Sequence, residues 1–110
     1  MSTVLLFSDS QATTTFTMTC LLDSRFQATH AFDLEDALKL LALRPFDLVV
    51  ADLHLHPDYA ELIASLRPVP SLLLVDRAHE QAAQASGANQ VLSRPFLPCE
   101  LLAAIHRQVG

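Results

Sequence analysis

Glycine is scarce in this sequence: among 110 residues there are only Gly87 and Gly110. Neither lies in the turn after the first apolar run, Val4–Phe7, where a nucleotide-binding loop needs glycine so that its backbone can approach phosphate. The sequence also lacks a Gly-x-Ser-x-Gly motif, in which a sharp turn presents a nucleophilic serine. These absences exclude the P-loop, dinucleotide-binding and common hydrolase sites.

Cysteine is equally scarce, and long apolar runs are missing. Cys20 and Cys99 lie far apart without metal-binding spacing, which is typical of a reducing compartment, and we expect both thiols to be buried. No stretch approaches the roughly 20 apolar residues of a membrane span, and the amino terminus has no leader pattern. The sequence therefore predicts a cytoplasmic protein.

Basic residues are few and scattered. Seven Lys and Arg stand against twelve Asp and Glu, for a formal net charge of -5. Such a surface argues against nucleic acid or an anionic membrane as a direct partner. Apolar residues make up 51% and charged residues 17%, which is typical of a folded, soluble protein. The length suits one core, so we expect residues 1–110 to form one domain.

Short apolar runs predict five β-strands. Two of them are continuously apolar, the pattern of a strand buried on both faces of a parallel sheet, whereas the second alternates and is expected nearer an edge. The predicted strands are Val4–Phe7, Phe26–Phe32, Phe46–Asp52, Ser71–Val75 and Val91–Ser93.

Amphipathic segments predict a helix after each strand. They are Gln11–Leu22 capped by Ser10, a helix from Asp33 to Pro45 with Leu34, Ala37, Leu38 and Leu41 on its inner face, Tyr59–Leu66, His79–Ser86 closed by Gly87, and a last helix from Pro98 to Val109. Five alternations of strand and helix predict an α/β doubly wound parallel sheet with right-handed crossovers.

In such sheets, ligands and chemistry collect at the carboxyl ends of the strands. The residues delivered there are Ser8, Asp9 and Ser10, then Asp52, then Val75 and Asp76, and finally Ser93 and Arg94. Carboxylates of this kind suit Mg²⁺, which binds few protein ligands and keeps several waters. A guanidinium beside them suits a phosphoryl oxygen.

Three motifs in order, FSDS, DLVVADLHLHP and VLSRPF, resemble the receiver domain of bacterial response regulators over essentially the whole chain. The resemblance implies a flavodoxin-like (βα)5 fold with a five-stranded parallel sheet in the order 2-1-3-4-5. It also implies a role in two-component or phosphorelay signal transduction rather than an enzyme's role, apart from self-phosphorylation from a phosphodonor and autodephosphorylation.

The resemblance also implies roles for individual residues. Asp52 would be the phosphoryl acceptor, Mg²⁺ would be held by Asp9, Asp52 and the backbone carbonyl of His54, and Arg94 occupies the position of the family's lysine. The Arg94–Pro95 bond would be cis. The implied partners are a histidine kinase or phosphotransfer protein, and a downstream protein or second copy on the face of the last two helices and strand five.

Four residues depart from the family pattern. Ser8 stands where the first of two adjacent acidic residues is usual, so one negative charge for the metal is missing. Val75 replaces a Thr or Ser that usually bonds the phosphoryl group, and Val91 replaces an aromatic switch residue. Arg94 keeps the lysine's charge in a longer, planar group. We expect weak Mg²⁺ binding. We also expect that the phosphoryl group is not coupled to the signalling face through the usual hydroxyl and aromatic ring.

Two alternative functions stay open. The departures favour a degenerate pseudo-receiver that binds a partner independently of phosphorylation. The run Asp52-x-His54-x-His56 would instead fit a small-ligand or metal-binding flavodoxin-like protein, since imidazole suits zinc, nickel or copper. The other histidines, His30, His79 and His106, are expected on helix or edge surfaces without chemistry.

Overall fold

The computed structural model describes residues 2–52 and 58–109. In chain order its elements are β1 (Thr3–Ser8), α1 (Gln11–Asp23), β2 (Gln27–Ala31), α2 (Leu34–Leu43), β3 (Leu48–Asp52), α3 (Tyr59–Leu66), β4 (Ser71–Val75), a 3₁₀ turn (Arg77–His79), α4 (Glu80–Gln84), β5 (Gln90–Ser93) and α5 (Pro98–Val109).

The strands form one parallel sheet in the order β2-β1-β3-β4-β5. The register places Ser8 of β1 opposite Asp52 of β3, and Val75 of β4 opposite Ser93 of β5. The predicted fold and strand order are therefore confirmed. The carboxyl ends of all five strands lie at the same end of the sheet, as expected for parallel strands.

Side chains alternate between the two faces of the sheet and bury each face under helices. One face packs under α2, α3 and α4 and carries Leu5, Val49, Leu73 and Val75. The other packs under α1 and α5 and carries Val4, Leu6, Val50, Leu72 and Leu74. Because β1, β3 and β4 are buried on both faces, they read as continuous apolar runs in the sequence.

Three helices begin at a side-chain cap. Ser10, Asp33 and Asp58 each accept a hydrogen bond from the backbone N–H three residues on, which satisfies one of the free donors of the first turn. The cap at Ser10 was predicted, and it offsets the weak helix propensity of the threonines in α1. Gly87, with φ +90, follows α4 in the left-handed conformation expected there.

Several local predictions were wrong. Leu38 of α2 is exposed, while Leu40 packs on the core beside Leu34, Ala37 and Leu41. The helix predicted over 79–86 is shorter, because a 3₁₀ turn takes up residues 77–79 and α4 ends at residue 84.

The cysteines also differ from expectation. Cys99 is exposed, because it lies on the outer side of the first turn of α5, whereas Leu101 and Ile105 take the inner side. Cys20 is half-buried, and burial, followed by the nearby Asp23 carboxylate, raises the pKa of its thiol. Across residues 2–52 and 58–109, every helix is too short or too polar to cross a bilayer.

Candidate functional site

The turn between β1 and α1 forms one rim of the site. The backbone N–H of Asp9 donates to the carbonyl oxygen of Asp52 at 3.4 Å, which holds this turn against the end of β3. The buried hydroxyl of Ser8 donates to the carbonyl oxygen of Ser10 and accepts from its N–H, both at 3.2 Å. Ser8 thus supports the turn from which Ser10 caps α1.

Asp52 lies at the end of β3 with a side chain that is 0% exposed. Its Oδ1 accepts a hydrogen bond from Nη2 of Arg94, and the two form an ion pair. A buried carboxylate needs such a partner, because moving a charged group out of water costs on the order of several kcal/mol. The ion pair with Arg94 offsets that cost. The predicted meeting of Asp52 and Arg94 is therefore present in the geometry.

The loop after β5 aims Arg94 at this carboxylate. The backbone N–H of Arg94 donates to the carbonyl oxygen of Val75 at 2.9 Å, so the start of the loop is tied to the end of β4. The Arg94–Pro95 peptide bond is cis, the geometry that the resemblance implies. The Arg94 side chain is 25% exposed, so it reaches the buried carboxylate from the surface at this end of the sheet.

Asp76 is a second carboxylate on Arg94. Nη1 of Arg94 donates to Oδ1 of Asp76 at 3.3 Å, and the Asp76 side chain is 52% exposed. One guanidinium therefore bridges two carboxylates, one buried and one at the surface. The sequence places Asp76 at this edge of the sheet, but only the structure shows that it shares Arg94 with Asp52.

Tyr59 is a neighbour of the site that sequence reasoning missed. It begins α3, is only 6% exposed, and packs with Val75 and Ala83 on the α2–α4 side of the sheet. Burial raises the pKa of its phenol. The Asp76 carboxylate also raises that pKa, Arg94 lowers it, and Asp52 raises it further. A tyrosine at the first position of an apolar helical stripe, just after the predicted acceptor, was the available signal.

The predicted departures at Val75 and Val91 fall in the core rather than in the polar rim. Val75 is 1% exposed, and the partly buried Val91 packs against the same cluster under α2, α3 and α4. Neither side chain brings a hydroxyl or a ring to the edge of the sheet. The polar side chains at the β4–β5 rim are instead those of Arg94 and Asp76.

His30 supports the rim formed by the turn between β1 and α1. Its Nε2 lies 3.1 Å from the carbonyl oxygen of Ser8 and 3.3 Å from the Thr14 hydroxyl, which itself donates to the Ser10 carbonyl. The ring also meets Phe32 edge-on, with centroids 4.2 Å apart. His30 lines a cleft of about 470 Å³ beside Asp9. The expectation of a plain surface histidine missed this buttressing role.

The metal predictions are only partly covered by the described residues. Asp9 and Asp52 are joined by the hydrogen bond between their backbones at this end of the sheet, but His54 and His56 lie outside the described residues. Over residues 2–52 and 58–109, there is no group of three or more His, Cys, Asp and Glu side chains placed to hold a metal ion. Of the two predicted carboxylate ligands, that of Asp52 already binds the guanidinium of Arg94.

Sequence comparison gives one informative relative and no match to a protein-family model. The chain is 36% identical over 112 residues to the KDP operon transcriptional regulatory protein KdpE of Escherichia coli K12. The alignment covers 96% of this chain and 50% of KdpE, so the chain spans about half the length of that relative.

Comparison of structures gives the same fold in solved receiver domains. The receiver domain of the sensor histidine kinase PA1611 from Pseudomonas aeruginosa, solved with a magnesium ion in its active-site cleft, matches with a TM-score of 0.83 and 24% identity over 99% of this chain and 98% of that one. A putative response regulator from Chloroflexus aurantiacus matches with a TM-score of 0.84 and 23% identity over 98% and 97%.

The five-stranded parallel sheet, its strand order and these neighbours define a flavodoxin-like fold of the CheY type. The match to KdpE, over half of that protein, adds a similarity in sequence, so both comparisons relate the chain to receiver domains of response regulators.

Proposed function

We propose that this domain accepts a phosphoryl group on Asp52 and signals through protein contacts. The observation that carries the proposal is the geometry of Asp52: it ends the central strand β3, lies opposite Ser8, and binds the guanidinium of Arg94. Arg94 presents fixed donors that match phosphoryl oxygens, so it would stabilise the anion formed on Asp52. Asp52 would itself be the nucleophile, so the site would act by positioning and charge stabilisation without a general base.

The transfer needs no further reactant. A carboxylate oxygen of Asp52 attacks the phosphorus of a phosphohistidine, a P–O bond forms, and the P–N bond breaks as the imidazole leaves and takes up a proton. Water reverses the modification later by attacking the acyl phosphate. With a small phosphodonor such as acetyl phosphate, the leaving group is acetate instead.

Magnesium fits this site weakly. Asp9 and Asp52 would hold the ion, which when bound would neutralise charge on the phosphoryl oxygens. Two features of this chain weaken the binding of Mg²⁺. Ser8 brings a neutral hydroxyl, bonded within the turn, in place of a carboxylate, and Arg94 already binds Asp52. The PA1611 receiver domain, which was solved with Mg²⁺ in its cleft, supports the presence of the ion in principle.

The proposed partners follow from the family. Upstream, a histidine kinase or phosphotransfer protein would supply the phosphoryl group in the cytoplasm. Downstream, α4, β5 and α5 would contact an effector or a second copy of the chain. KdpE is a transcriptional regulatory protein, but this chain spans only half of it, so the output of this domain belongs to the proposal.

The test is the intact mass of the chain after incubation with acetyl phosphate and Mg²⁺. We expect the native chain to gain one phosphoryl group, which peptide mapping places on Asp52. Asp52→Asn, nearly the same in size, is expected to gain none, while Asp47→Asn, on the opposite edge of the sheet, serves as a matched control and gains one. Equal uptake by native chain and Asp52→Asn would contradict the proposal.

A second function is favoured by a specific observation. The Asp52 side chain is excluded from solvent and paired with Arg94, so an incoming phosphorus must displace that cover to reach it. A pseudo-receiver would keep this pair intact and bind its partner whether or not a phosphodonor is present. Absence of phosphoryl uptake, together with partner binding that survives Asp52→Asn, would favour this second function.

A further inference from the structure

The contacts of Asp76 extend from the phosphoryl site into the segment before α4. Its Oδ1 binds Nη1 of Arg94, and its backbone carbonyl accepts the N–H of His79, closing the 3₁₀ turn Arg77–His79. One residue thus belongs both to the polar rim and to the turn that leads into α4. A shift of Asp76 would move that turn.

Tyr59 lies against the same turn from inside. Its ring is 6.4 Å from the His79 ring, centroid to centroid, and it is buried in the cluster that includes Val75 and Ala83 of α4. Because Tyr59 also begins α3, it is anchored in one helix while its ring lies near the 3₁₀ turn. Its surroundings would therefore change whenever the 3₁₀ turn changes position.

The two contacts of Arg94 differ in strength, and this difference decides which one yields. The contact with Asp52 is fully buried on the carboxylate side, whereas the contact with Asp76 is 3.3 Å long on a half-exposed carboxylate. Exposed ion pairs contribute little, but a phosphoryl group carries a charge of about -2 and three acceptor oxygens that a planar guanidinium can bind in pairs. On phosphorylation, Arg94 would keep the Asp52 side and release Asp76.

We propose that the Arg94–Asp76 ion pair is the coupling element of this domain: a phosphoryl group on Asp52 draws Arg94 from Asp76, and the released Asp76 lets the 3₁₀ turn move against Tyr59. The inference rests on the proposed function of Asp52 and names the regulation of that site. It also accounts for signalling without a hydroxyl at Val75 or a ring at Val91, because the connection runs through polar contacts of the β4–β5 rim.

The sequence provides a direct probe of this movement. The chain has one tyrosine and no tryptophan, so its intrinsic tyrosine emission belongs to Tyr59 alone. We would titrate the native chain with beryllium fluoride in the presence of Mg²⁺, using this phosphoryl mimic so that the occupied state persists. The expected result is a saturable change in emission that follows probe binding measured by calorimetry.

Variants separate the coupling from binding. Asp76→Asn is expected to bind the mimic but to lose the emission change, Asp76→Glu is expected to restore it, and the control Asp47→Asn is expected to respond as the native chain does. Asp76 is half-exposed, so these variants should fold, which circular dichroism checks.

Two results would overturn the inference while leaving phosphoryl acceptance intact. One is binding of the mimic to the native chain without any change in Tyr59 emission. The other is a full response from Asp76→Asn. If neither the mimic binds nor acetyl phosphate adds mass, the proposed function fails as well, and the coupling is rejected with it.

Discussion

The two rims that flank Asp52 use their polar groups differently. On the β1 rim, the Ser8 hydroxyl is bonded within the turn and Ser10 caps α1, so the rim is built mainly of neutral contacts, and Asp9 provides its charge. On the β4–β5 rim, Arg94 binds Asp52 directly and is shared with Asp76.

This difference separates two functions that usually occur together in one site. The β4–β5 rim retains the cation needed to bind an anion on Asp52, whereas the β1 rim offers a metal ion one carboxylate fewer than the family pattern. The site should therefore stabilise a phosphoryl group better than it holds Mg²⁺. Substitutions can alter the two rims one at a time.

The largest effect is expected from removing the cation of the β4–β5 rim. Arg94→Ala removes the guanidinium that pairs with the buried Asp52 carboxylate, which should lower the free energy of unfolding by about 3–5 kcal/mol. Urea unfolding followed by circular dichroism measures the loss. Arg94→Lys, which keeps the charge but not the fork, should lose less.

The double variant Arg94→Ala/Asp52→Asn tests the cause of that loss. Removing both charges should recover most of the stability, because no uncompensated ion then remains in the interior. Additive losses in the double variant would show that Arg94 stabilises the fold by packing rather than by pairing with Asp52.

The next effect concerns metal binding at the β1 rim. Ser8→Asp adds the missing carboxylate beside Asp9, and an added charge near a cation should tighten Mg²⁺ binding by at least about tenfold. Calorimetric titration measures the affinity. Ser8→Ala is the control, since it removes the same two hydrogen bonds without adding charge, and unchanged affinity in Ser8→Asp would mean that the β1 rim is not the limiting one.

A smaller effect is expected from the cap of α1. Ser10→Ala removes the bond from the Thr13 N–H, which is long at 3.4 Å, so we expect a loss of roughly 0.5–1 kcal/mol in urea unfolding. Asp33→Ala removes the shorter cap of α2, at 2.8 Å, and provides the comparison, with a loss of about 1 kcal/mol. A loss at Ser10 larger than at Asp33 would indicate that Ser10 also supports the metal rim.

The smallest effect near neutral pH comes from Tyr59. Because burial and the Asp76 carboxylate raise its pKa in the folded chain, Tyr59 contributes stability that is complete below its ordinary pKa of 10.0 and is lost as the pH rises through the folded value. Tyr59→Phe should lack this alkaline loss. Asp76→Asn should lower the pKa of Tyr59, and an absorbance titration of this one tyrosine would detect an unchanged value as a contradiction.

The sequence predicted the architecture well because that architecture depends on local patterns. Continuous apolar runs located β1 and β3, the segment Ser71–Val75 was predicted as β4, and the position of Asp52 at the end of the third run predicted where its side chain lies. The prediction of which residues form the inner face of α2 was partly wrong. Leu38 and Leu40 fit an amphipathic helix equally well, and only the tertiary packing determines which of them faces the core. Cys99 followed the general tendency of cysteine to be buried, but the phase of α5 places it outside.

Side-chain partnerships at the site were less accessible to sequence reasoning. Asp76 was placed at the correct edge, yet its sharing of Arg94 depends on how far a long side chain reaches from the next strand. The contacts of Tyr59 depend on the direction in which the first residue of α3 points. The contacts of His30 could be recognised only from the position of the neighbouring strand β1. Such contacts form between distant parts of the chain and leave no periodic signal.

We propose that Asp52 accepts a phosphoryl group at a site whose β4–β5 rim binds anions well and whose β1 rim binds Mg²⁺ weakly. The most direct measurement is the rate at which intact mass increases with acetyl phosphate over a series of Mg²⁺ concentrations. We expect one phosphoryl group on Asp52, added at a rate that keeps rising to high Mg²⁺ concentration. No addition at any Mg²⁺ concentration would contradict it and favour the pseudo-receiver.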